Sequence, residues 1–299
     1  SAINIAPFGT HYWNDTNISK EKAIIKQTVE LVNSTNATEN ITVRTRVLDL
    51  QNKLIFSSQN NLELPANETK VFSLSDLQVR NPKLWSIEQP NLYALETSII
   101  QNGKVVDQQI TNYGIRKITW TKNTEGEGYS RVYLNDKPVF INGIAEYEHK
   151  FGNSHAFTDE EVYARASEMK SLGFNSFRDA HQPHNLRYQD YWDKSGMLLW
   201  TQMSAHIWFD NPNFKENFKR LLIQWVKERR NSPSVFLWGI QNESKLPEYF
   251  AKECTEIIRQ LDPTASIQRL VTTCNGGKGT DWDVPQNWTG TYGGHHNTY

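Results

Sequence analysis

The segment Val235-Phe236-Leu237-Trp238-Gly239-Ile240-Gln241-Asn242-Glu243 joins a short apolar run to three polar residues. An apolar run of this length, bounded by polar residues, is typical of a buried strand. An amphipathic stretch precedes it and another follows it, which is the pattern of a strand between two helices. The segment therefore predicts a sheet strand whose carboxyl end carries an amide and a carboxylate.

The same alternation of short apolar runs and longer amphipathic stretches extends from about residue 117 to the end of the chain. Thr158 and Glu161 have the spacing of a capping box, which predicts a helix start, and Asp262-Pro263 predicts a helix end. Repeated strand–helix units indicate a parallel sheet with helical crossovers. The predicted strands are Pro138–Ile144, Phe174–Phe177, Met197–Trp200, Val235–Ile240, Leu270–Thr273 and Thr289–Tyr292.

Polar residues at successive strand ends favour a (β/α)8 TIM barrel over a doubly wound sheet. Residues 117–299 are fewer than the roughly 250 of a typical barrel, and about six of eight strands are found. We therefore expect a truncated barrel, with the chain being a fragment of a longer protein.

The first 116 residues predict an all-β domain. The run Ile41–Val47 alternates apolar and polar residues with the period of a half-buried strand. Asn102-Gly103 lies between two such runs, and this pair favours a tight hairpin because both residues tolerate positive φ. Five or more short strands separated by polar turns predict a β-sandwich over residues 1–116, followed by the barrel over 117–299.

Composition excludes several classes of function. Lys and Arg number 32 and Asp and Glu 33, so the net charge of −1 gives no electrostatic reason to expect a nucleic-acid partner. No apolar run approaches the roughly 20 residues of a membrane span, so no membrane partner is expected. Two cysteines cannot form a disulfide framework or a cysteine-based zinc cluster.

Aromatic and polar residues follow four of the predicted barrel strands. Flat apolar rings stack on sugar faces, while charged and amide groups bind hydroxyls, so this combination indicates a carbohydrate site. The candidates are Tyr147 and His149 after the first strand, Arg178 and His181 after the second, Gln202, His206 and Trp208 after the third, and Asn242 and Glu243 after the fourth.

Three separated motifs resemble glycoside hydrolase family 2, which includes β-galactosidases, β-glucuronidases and β-mannosidases. Arg229–Glu243 (RRNSPSVFLWGIQNE) is similar to the acid/base signature, and Asn175–Pro183 (NSFRDAHQP) to the first signature of that family. Asn81–Trp85, with Pro90–Tyr93 and Tyr113–Arg116, resembles the immunoglobulin-like domain that precedes its barrel. The resemblance implies an immunoglobulin-like β-sandwich followed by a catalytic TIM barrel.

The resemblance also implies a retaining glycosidase, which needs two carboxyl groups about 5–5.5 Å apart. Glu243 matches the acid/base, and Asn242 matches the residue that hydrogen-bonds the sugar 2-hydroxyl. The later glutamates Glu248, Glu253 and Glu256 fall on one predicted helix, which explains them as solvated charges. The nucleophile is therefore expected beyond Tyr299, and the fragment alone is expected to be inactive.

Other site residues follow from the resemblance. Arg178 and His181 match the Arg and His of the family's sugar pocket. The alternative interpretation is that Arg178 forms a structural ion pair with Asp179 or Glu148. Tyr147 stands where β-galactosidases place a His, and Gln202 stands where many members place a Glu that holds Mg²⁺. Because a hard dication prefers anionic oxygen, no metal and no cofactor are expected. His149, His206, Trp208, Trp288 and Tyr292 could line the pocket or pack as ordinary core residues.

The resulting hypothesis is hydrolysis of terminal β-glycosidic bonds, with a β-galactosidase-like enzyme first. A β-glucuronidase-like or β-mannosidase-like enzyme, or a non-catalytic carbohydrate-binding or scaffold protein on the same fold, remains open. The expected partner is an oligosaccharide or glycoside, with a homo-oligomer predicted from the unpaired edges of an open barrel. The compartment is left open, with periplasm or secretion favoured over cytoplasm.

Overall fold

The protein forms two compact units in a computed structural model. The first unit contains Ser1–Phe140 with the later segments Gln189–Met197 and Lys227–Ser234, and the remaining residues form the second. The domain boundary placed at residue 116 from the sequence stays a prediction. The structure describes residues 1–121, 131–149, 156–203, 208–244 and 246–284.

Seven antiparallel strands form two sheets in the first unit, which confirms the immunoglobulin-like β-sandwich. One sheet has the order β1-β2-β5 and the other the order β4-β3-β6-β7. The sequence shows no run for β1 and β4; its strand-like runs lie at Ala23–Val32, Ile41–Val47, Lys70–Leu74, Leu92–Ile100 and Lys104–Ile110. The strands are β1 (Ile3–Trp13), β2 (Lys22–Asn33), β3 (Glu39–Leu48), β4 (Leu54–Leu64), β5 (Glu68–Arg80), β6 (Tyr93–Gln101) and β7 (Lys104–Tyr113).

Alternation of side chains builds the sandwich core. Ile41, Val43, Thr45 and Val47 of β3 are buried, whereas the polar residues that alternate with them are only partly buried, as the period-two pattern predicts. Asn102 and Gly103 join β6 to β7 with φ of 51° and 75°, which confirms the predicted tight hairpin. The sequence missed β4 because its many Ser, Asn and Gln residues give a weak apolar signal. In the structure β4 is paired along its length with β3.

The predicted strand Pro138–Ile144 is wrong, because its first residues belong to a small antiparallel sheet. Three strands, β8 (Ile118–Thr121), β9 (Arg131–Leu134) and β10 (Lys137–Val139), pair in the order β10-β9-β8. Asn135 and Asp136 take positive φ and turn the chain tightly between β9 and β10. Pro138 therefore belongs to this hairpin, and the first strand of the parallel sheet begins five residues later, at Gly143.

Six strands form one parallel sheet in the second unit, in the sequential order β11-β12-β13-β14-β15-β16. This order, with helices between most strands, is a partial TIM barrel and confirms that prediction. The sixth described strand is Trp282–Val284, and the predicted strand Thr289–Tyr292 lies outside the described residues. The elements are β11 (Gly143–Tyr147), α1 (Asp159–Ser171), β12 (Ser176–Ala180), α2 (Leu186–Ser195), β13 (Leu198–Gln202), α3 (Pro212–Arg229), β14 (Val235–Gly239), α4 (Glu248–Leu261), β15 (Leu270–Cys274) and β16 (Trp282–Val284).

The helix ends follow the local signals of the sequence. Thr158 accepts a hydrogen bond from the backbone N–H of Glu161, and the Glu161 side chain accepts from the Thr158 N–H, so the capping box is formed. The helix α4 ends at Leu261, directly before Asp262-Pro263. Within the described residues, no helix combines the length and the apolar character needed to cross a membrane.

The first unit contains a buried carboxylate that makes its stability depend on pH. Burial raises the pKa of Asp193 to about 6, although the Ser232 hydroxyl and the Ser234 backbone N–H both donate to its Oδ1 at 2.5 and 3.1 Å. Because the pKa of Asp193 is higher in the folded than in the unfolded protein, the protonated carboxyl group stabilises the fold below about pH 4. This stabilisation is lost as the pH rises through about 6. The loss is about 3 kcal/mol in the free energy of unfolding.

Urea unfolding of the wild type and of Asp193→Asn between pH 3.5 and 7 measures this contribution. The amide of the variant still accepts both hydrogen bonds but does not titrate, so the difference between the two proteins should change by about 3 kcal/mol across the window. A constant difference from pH 3.5 to 7 would show that Asp193 does not titrate with a raised pKa.

Candidate active site

The candidate site lies at the carboxyl ends of the parallel strands, where barrel enzymes bind their substrates. Tyr147, Ala180, Gln202, Gly239 and Cys274 are the last residues of the first five strands. Because the strands are parallel and hydrogen-bonded in sequential order, these residues share one edge of the sheet. The polar residues that follow each strand are thereby brought to the same edge.

Arg178 is the centre of the hydrogen bonding at this edge. Its Nη2 donates to Asn242 Oδ1 at 2.5 Å and to Gln202 Oε1 at 3.2 Å, and lies 3.4 Å from His181 Nδ1. A guanidinium only donates, so these contacts orient the two amides with their oxygens towards Arg178. The amino groups of Asn242 and Gln202 therefore point away from the guanidinium.

The same contacts set the tautomer of His181. Its Nδ1 lies 3.1 Å from Gln202 Oε1, an oxygen that also accepts a hydrogen bond from Arg178 and can only accept. We therefore place a proton on Nδ1, which donates to the amide oxygen. In the neutral ring this leaves the lone pair on Nε2.

The Arg178 guanidinium is partly buried over an aromatic ring. Burial lowers the pKa of Arg178, and the nearby Cys274, Glu243 and Tyr147 side chains oppose this shift. The guanidinium carbon lies 4.3 Å from the centre of the Trp200 ring, within the range of a cation–π interaction. An Arg remains cationic even after such a shift, so the site carries a fixed positive charge.

Gly239 makes room for this stacking. A methyl group at Gly239 would lie 2.6 Å from Trp200 Nε1, closer than any real contact of a Cβ atom. Steric exclusion by Trp200 therefore explains why a glycine follows Trp238. This glycine leaves room for the Trp200 ring, over which the Arg178 guanidinium lies.

Asn242 and Glu243 occupy the turn that follows β14. The Glu243 backbone has φ of 55°, which is uncommon for a residue with a side chain, and its N–H donates to the Cys274 carbonyl at 2.8 Å. Asn242 is 1% exposed, whereas the Glu243 side chain is exposed. The turn thus buries the amide and presents the carboxyl group outward at the site.

An aromatic row lies on the opposite side of Arg178. The rings of Tyr147 and His181 are perpendicular with centres 5.3 Å apart, and His149 lies 6.2 Å from Tyr147. Tyr147 is 54% exposed and His149 is also exposed. Exposed rings at a strand edge supply the apolar surface on which a sugar ring can stack.

The structure does not show the alternative role of Arg178, an ion pair with Asp179 or Glu148. Asp179 lies on the other face of β12 and accepts from Thr201 Oγ1 at 2.9 Å, and Glu148 accepts from the Asn185 backbone N–H at 2.8 Å. Within the described parts of the chain, Arg178 forms an ion pair with neither carboxylate. Its hydrogen bonds go to the candidate site residues.

Of the four remaining predicted site residues, the structure describes only Trp208. Trp208 packs against the rings of Phe214 and Phe250, with centres 5.2 and 5.0 Å apart, so it has the contacts of an aromatic core residue. His206, Trp288 and Tyr292 lie outside the described residues. A sugar-binding role for these four residues stays a prediction.

Three residues of the site were missed from the sequence: Trp200, Gln241 and Cys274. Trp200 could have been found from strand alternation, because it lies two residues before Gln202 and so on the same face of β13. Cys274 contacts Arg178 across the sheet, which no local pattern indicates. Gln241 lies within the acid/base motif, and no local pattern indicates its contacts.

The site does not suit Mg²⁺ at Gln202. The amide oxygen that would have to bind the ion already accepts from Arg178 and His181, and a guanidinium beside it repels a dication. The described residues contain no group of three or more His, Cys, Asp or Glu that could hold a metal ion. The absence of a metal requirement stays a prediction.

Comparison with known proteins identifies the family. The model of glycosyl hydrolases family 2 matches residues 8–116, and the model of the TIM barrel domain of the same family matches residues 128–284, which is more than half of the chain. The chain belongs to glycosyl hydrolases family 2. The family resemblance inferred from the three sequence motifs is therefore confirmed.

Two curated relatives illustrate the match. A putative β-glucuronidase of Formosa agariphila is 27% identical over 94% of this chain and 34% of its own length. A β-galactosidase of Bacteroides ovatus is 27% identical over 81% of this chain and 28% of its own length. The chain thus spans about a third or less of the family 2 relatives it matches.

Solved structures agree with the fold. A family 2 member from Bacteroides cellulosilyticus superposes with a TM-score of 0.81 at 26% identity, covering 91% of this chain and 37% of that chain. A β-glucuronidase from Parabacteroides merdae gives a TM-score of 0.84 at 22% identity, covering 98% of this chain and 36% of that chain, which shows the shared fold.

Proposed function

We propose that this chain provides the acid/base half of a retaining β-glycosidase site, with Glu243 as the proton donor. The observation that carries the proposal is the hydrogen bonding of Arg178 to Asn242 and Gln202 beside the exposed Glu243 carboxyl group. Membership of glycosyl hydrolases family 2 supports the same reaction class.

In this proposal Glu243 gives its proton to the glycosidic oxygen as the bond to the sugar breaks. The Asn242 amide, oriented by Arg178, hydrogen-bonds the 2-hydroxyl of the sugar, a contact that strengthens in an oxocarbenium-like transition state. Arg178 and His181 bind further hydroxyls, and the Tyr147 ring stacks on a sugar face.

The partner carboxylate of a retaining mechanism is not supplied by α4. Glu248 pairs with Lys252 at 2.7 Å, Glu253 with Lys219 at 2.6 Å, and Glu256 with Arg259 at 3.5 Å. All three side chains are exposed on the helix surface, in agreement with the solvated charges expected from the sequence. The position of the nucleophile stays a prediction.

The sugar is the finer part of the proposal. A neutral β-galactoside is our first choice, since amides, one Arg and one His suit hydroxyl groups. A β-glucuronide is the second, because relatives named β-glucuronidase and β-galactosidase match this chain comparably well. A homo-oligomeric assembly also stays a prediction.

The gene's full protein product, assayed with nitrophenyl β-galactoside, β-glucuronide and β-mannoside, tests both parts. We expect hydrolysis of at least one substrate, with the β-anomer of the free sugar as the first product seen by proton NMR. Preference for the galactoside supports the neutral-sugar choice, and preference for the glucuronide overturns it.

Two results would contradict the reaction class itself. The α-anomer as first product would indicate an inverting mechanism. Binding of a sugar without hydrolysis of any of the three substrates would instead favour the non-catalytic carbohydrate-binding alternative.

A further inference from the structure

Gln241 closes the turn that carries the proposed acid/base. Its side chain is fully buried, and its Oε1 accepts from the Ser244 backbone N–H at 2.9 Å and from Ser244 Oγ at 3.2 Å. The residues enclosed between Gln241 and Ser244 are Asn242 and Glu243. The left-handed φ of Glu243 is therefore held by a side-chain hydrogen bond across the turn as well as by its own bond to Cys274.

The amino end of the same side chain lies in a slot made by Gly276. A methyl group on Gly276 would overlap the Nε2 and Cδ atoms of Gln241. Gly276 is not among the residues with positive φ, so its backbone would accept an alanine. Its lack of a side chain matters because it leaves the space that Gln241 fills.

The backbone around this slot is anchored by Asp283 of β16. The carboxylate accepts from the N–H groups of Gly276 and Gly277 at 3.1 and 3.4 Å, and from Thr273 Oγ1 at 2.7 Å. The Thr273 hydroxyl also lies 2.9 Å from the Gly277 carbonyl, so its single proton is shared between two acceptors. Because these bonds hold the loop backbone, a methyl group at residue 276 is expected to displace the flexible Gln241 side chain.

We infer that Gln241 is a positioning residue for Glu243, and that the loop after β15 acts on the reaction by holding Gln241 through the Gly276 slot. The inference rests on the proposed function of Glu243. Displacement of Gln241 releases Ser244 and lets the Glu243 carboxyl group leave its place at the glycosidic oxygen. Misplacement of a catalytic group by about 1 Å can cost about a hundredfold in rate.

The test is a double-mutant cycle on the gene's full product, with Gly276→Ala, Gln241→Ala and both together. Each single variant should lower kcat about tenfold to a hundredfold, with KM within about threefold of wild type, because the turn positions the acid and not the sugar. The double variant should equal Gln241→Ala alone, since removal of the long side chain makes room for the methyl group.

Gly143→Ala is the matched control, because a methyl group there meets its nearest neighbour at 3.7 Å in the same sheet and should leave kcat unchanged. Additive losses in the double variant, or wild-type kcat in Gln241→Ala, overturn the inference even if Gly276→Ala fails to fold. A wild-type protein that hydrolyses no glycoside overturns the proposed function instead, so the two failures are distinguishable.

Discussion

Replacement of Glu243 by Gln is expected to lower the turnover of β-glycosides by about 10²–10⁴-fold. The amide has the size and shape of the carboxylic acid and keeps the turn after β14, but it has no acidic proton to give to the leaving oxygen. The side chain is exposed at the site and forms no hydrogen bond or ion pair with the residues that the structure describes, so thermal unfolding should change little.

The dependence on the leaving group makes this prediction specific to acid catalysis. A dinitrophenolate leaves without protonation, whereas an alkyl alcohol needs a proton at the moment of bond cleavage. The loss in kcat/KM should therefore be large for an alkyl or phenyl glycoside and much smaller for the dinitrophenyl glycoside of the same sugar. Steady-state kinetics of wild type and variant on these substrates measures the difference.

Glu248→Gln provides the matched control. It is the same substitution five residues later, on the exposed start of α4, where the carboxylate pairs with Lys252 at 2.7 Å. Wild-type rates are expected for this variant. Equal losses of Glu243→Gln on all leaving groups, or no loss on any, would remove Glu243 from the role of proton donor.

The largest expected effect on stability comes from Asp262, a fully buried carboxylate at the end of α4. Its Oδ2 accepts from Arg269 Nη1 at 2.9 Å and from Trp238 Nε1 at 3.0 Å, and its Oδ1 accepts from the Thr264 hydroxyl and backbone N–H. Removal of one partner of a buried ion pair leaves the other charge uncompensated. Asp262→Ala should therefore lower the free energy of unfolding by about 3–5 kcal/mol.

Glu256→Ala on the same helix is the control for this prediction. Glu256 pairs with Arg259 at the surface, at 3.5 Å, and such pairs contribute at most about 1 kcal/mol. Urea unfolding followed by tryptophan fluorescence compares the two variants with wild type. Similar losses in both variants would show that the Asp262–Arg269 pair contributes no more than a surface pair.

Much of the fold could be predicted from local sequence. The alternation of Ile41–Val47 gave a strand of the sandwich, Asn102-Gly103 gave a hairpin, and Thr158 with Glu161 gave the start of α1. Each signal is a contact or dihedral angle within a few residues, so the sequence states it directly. The predicted strand Pro138–Ile144 was wrong because this run covers the end of β10 and the start of β11, which belong to two different sheets.

The candidate site was only partly accessible in the same way. The positions after the barrel strands were predicted because parallel strands end at one edge, and Arg178, His181, Gln202 and Asn242 are brought together there. The family motifs supplied their expected roles. Trp208, in the segment between β13 and α3, instead has the contacts of a core residue.

What the sequence by itself determined is the alternation of strands and helices in the barrel, the chemistry at the strand ends and the family. The tertiary structure alone decided which atoms meet: Arg178 with Asn242, 64 residues later, and Gln241 in the slot of Gly276. The physical reason is that strand period and capping depend on neighbours along the chain. The orientation of an amide or the need for a missing methyl group depends on side chains that only the folded sheet brings within 3 Å.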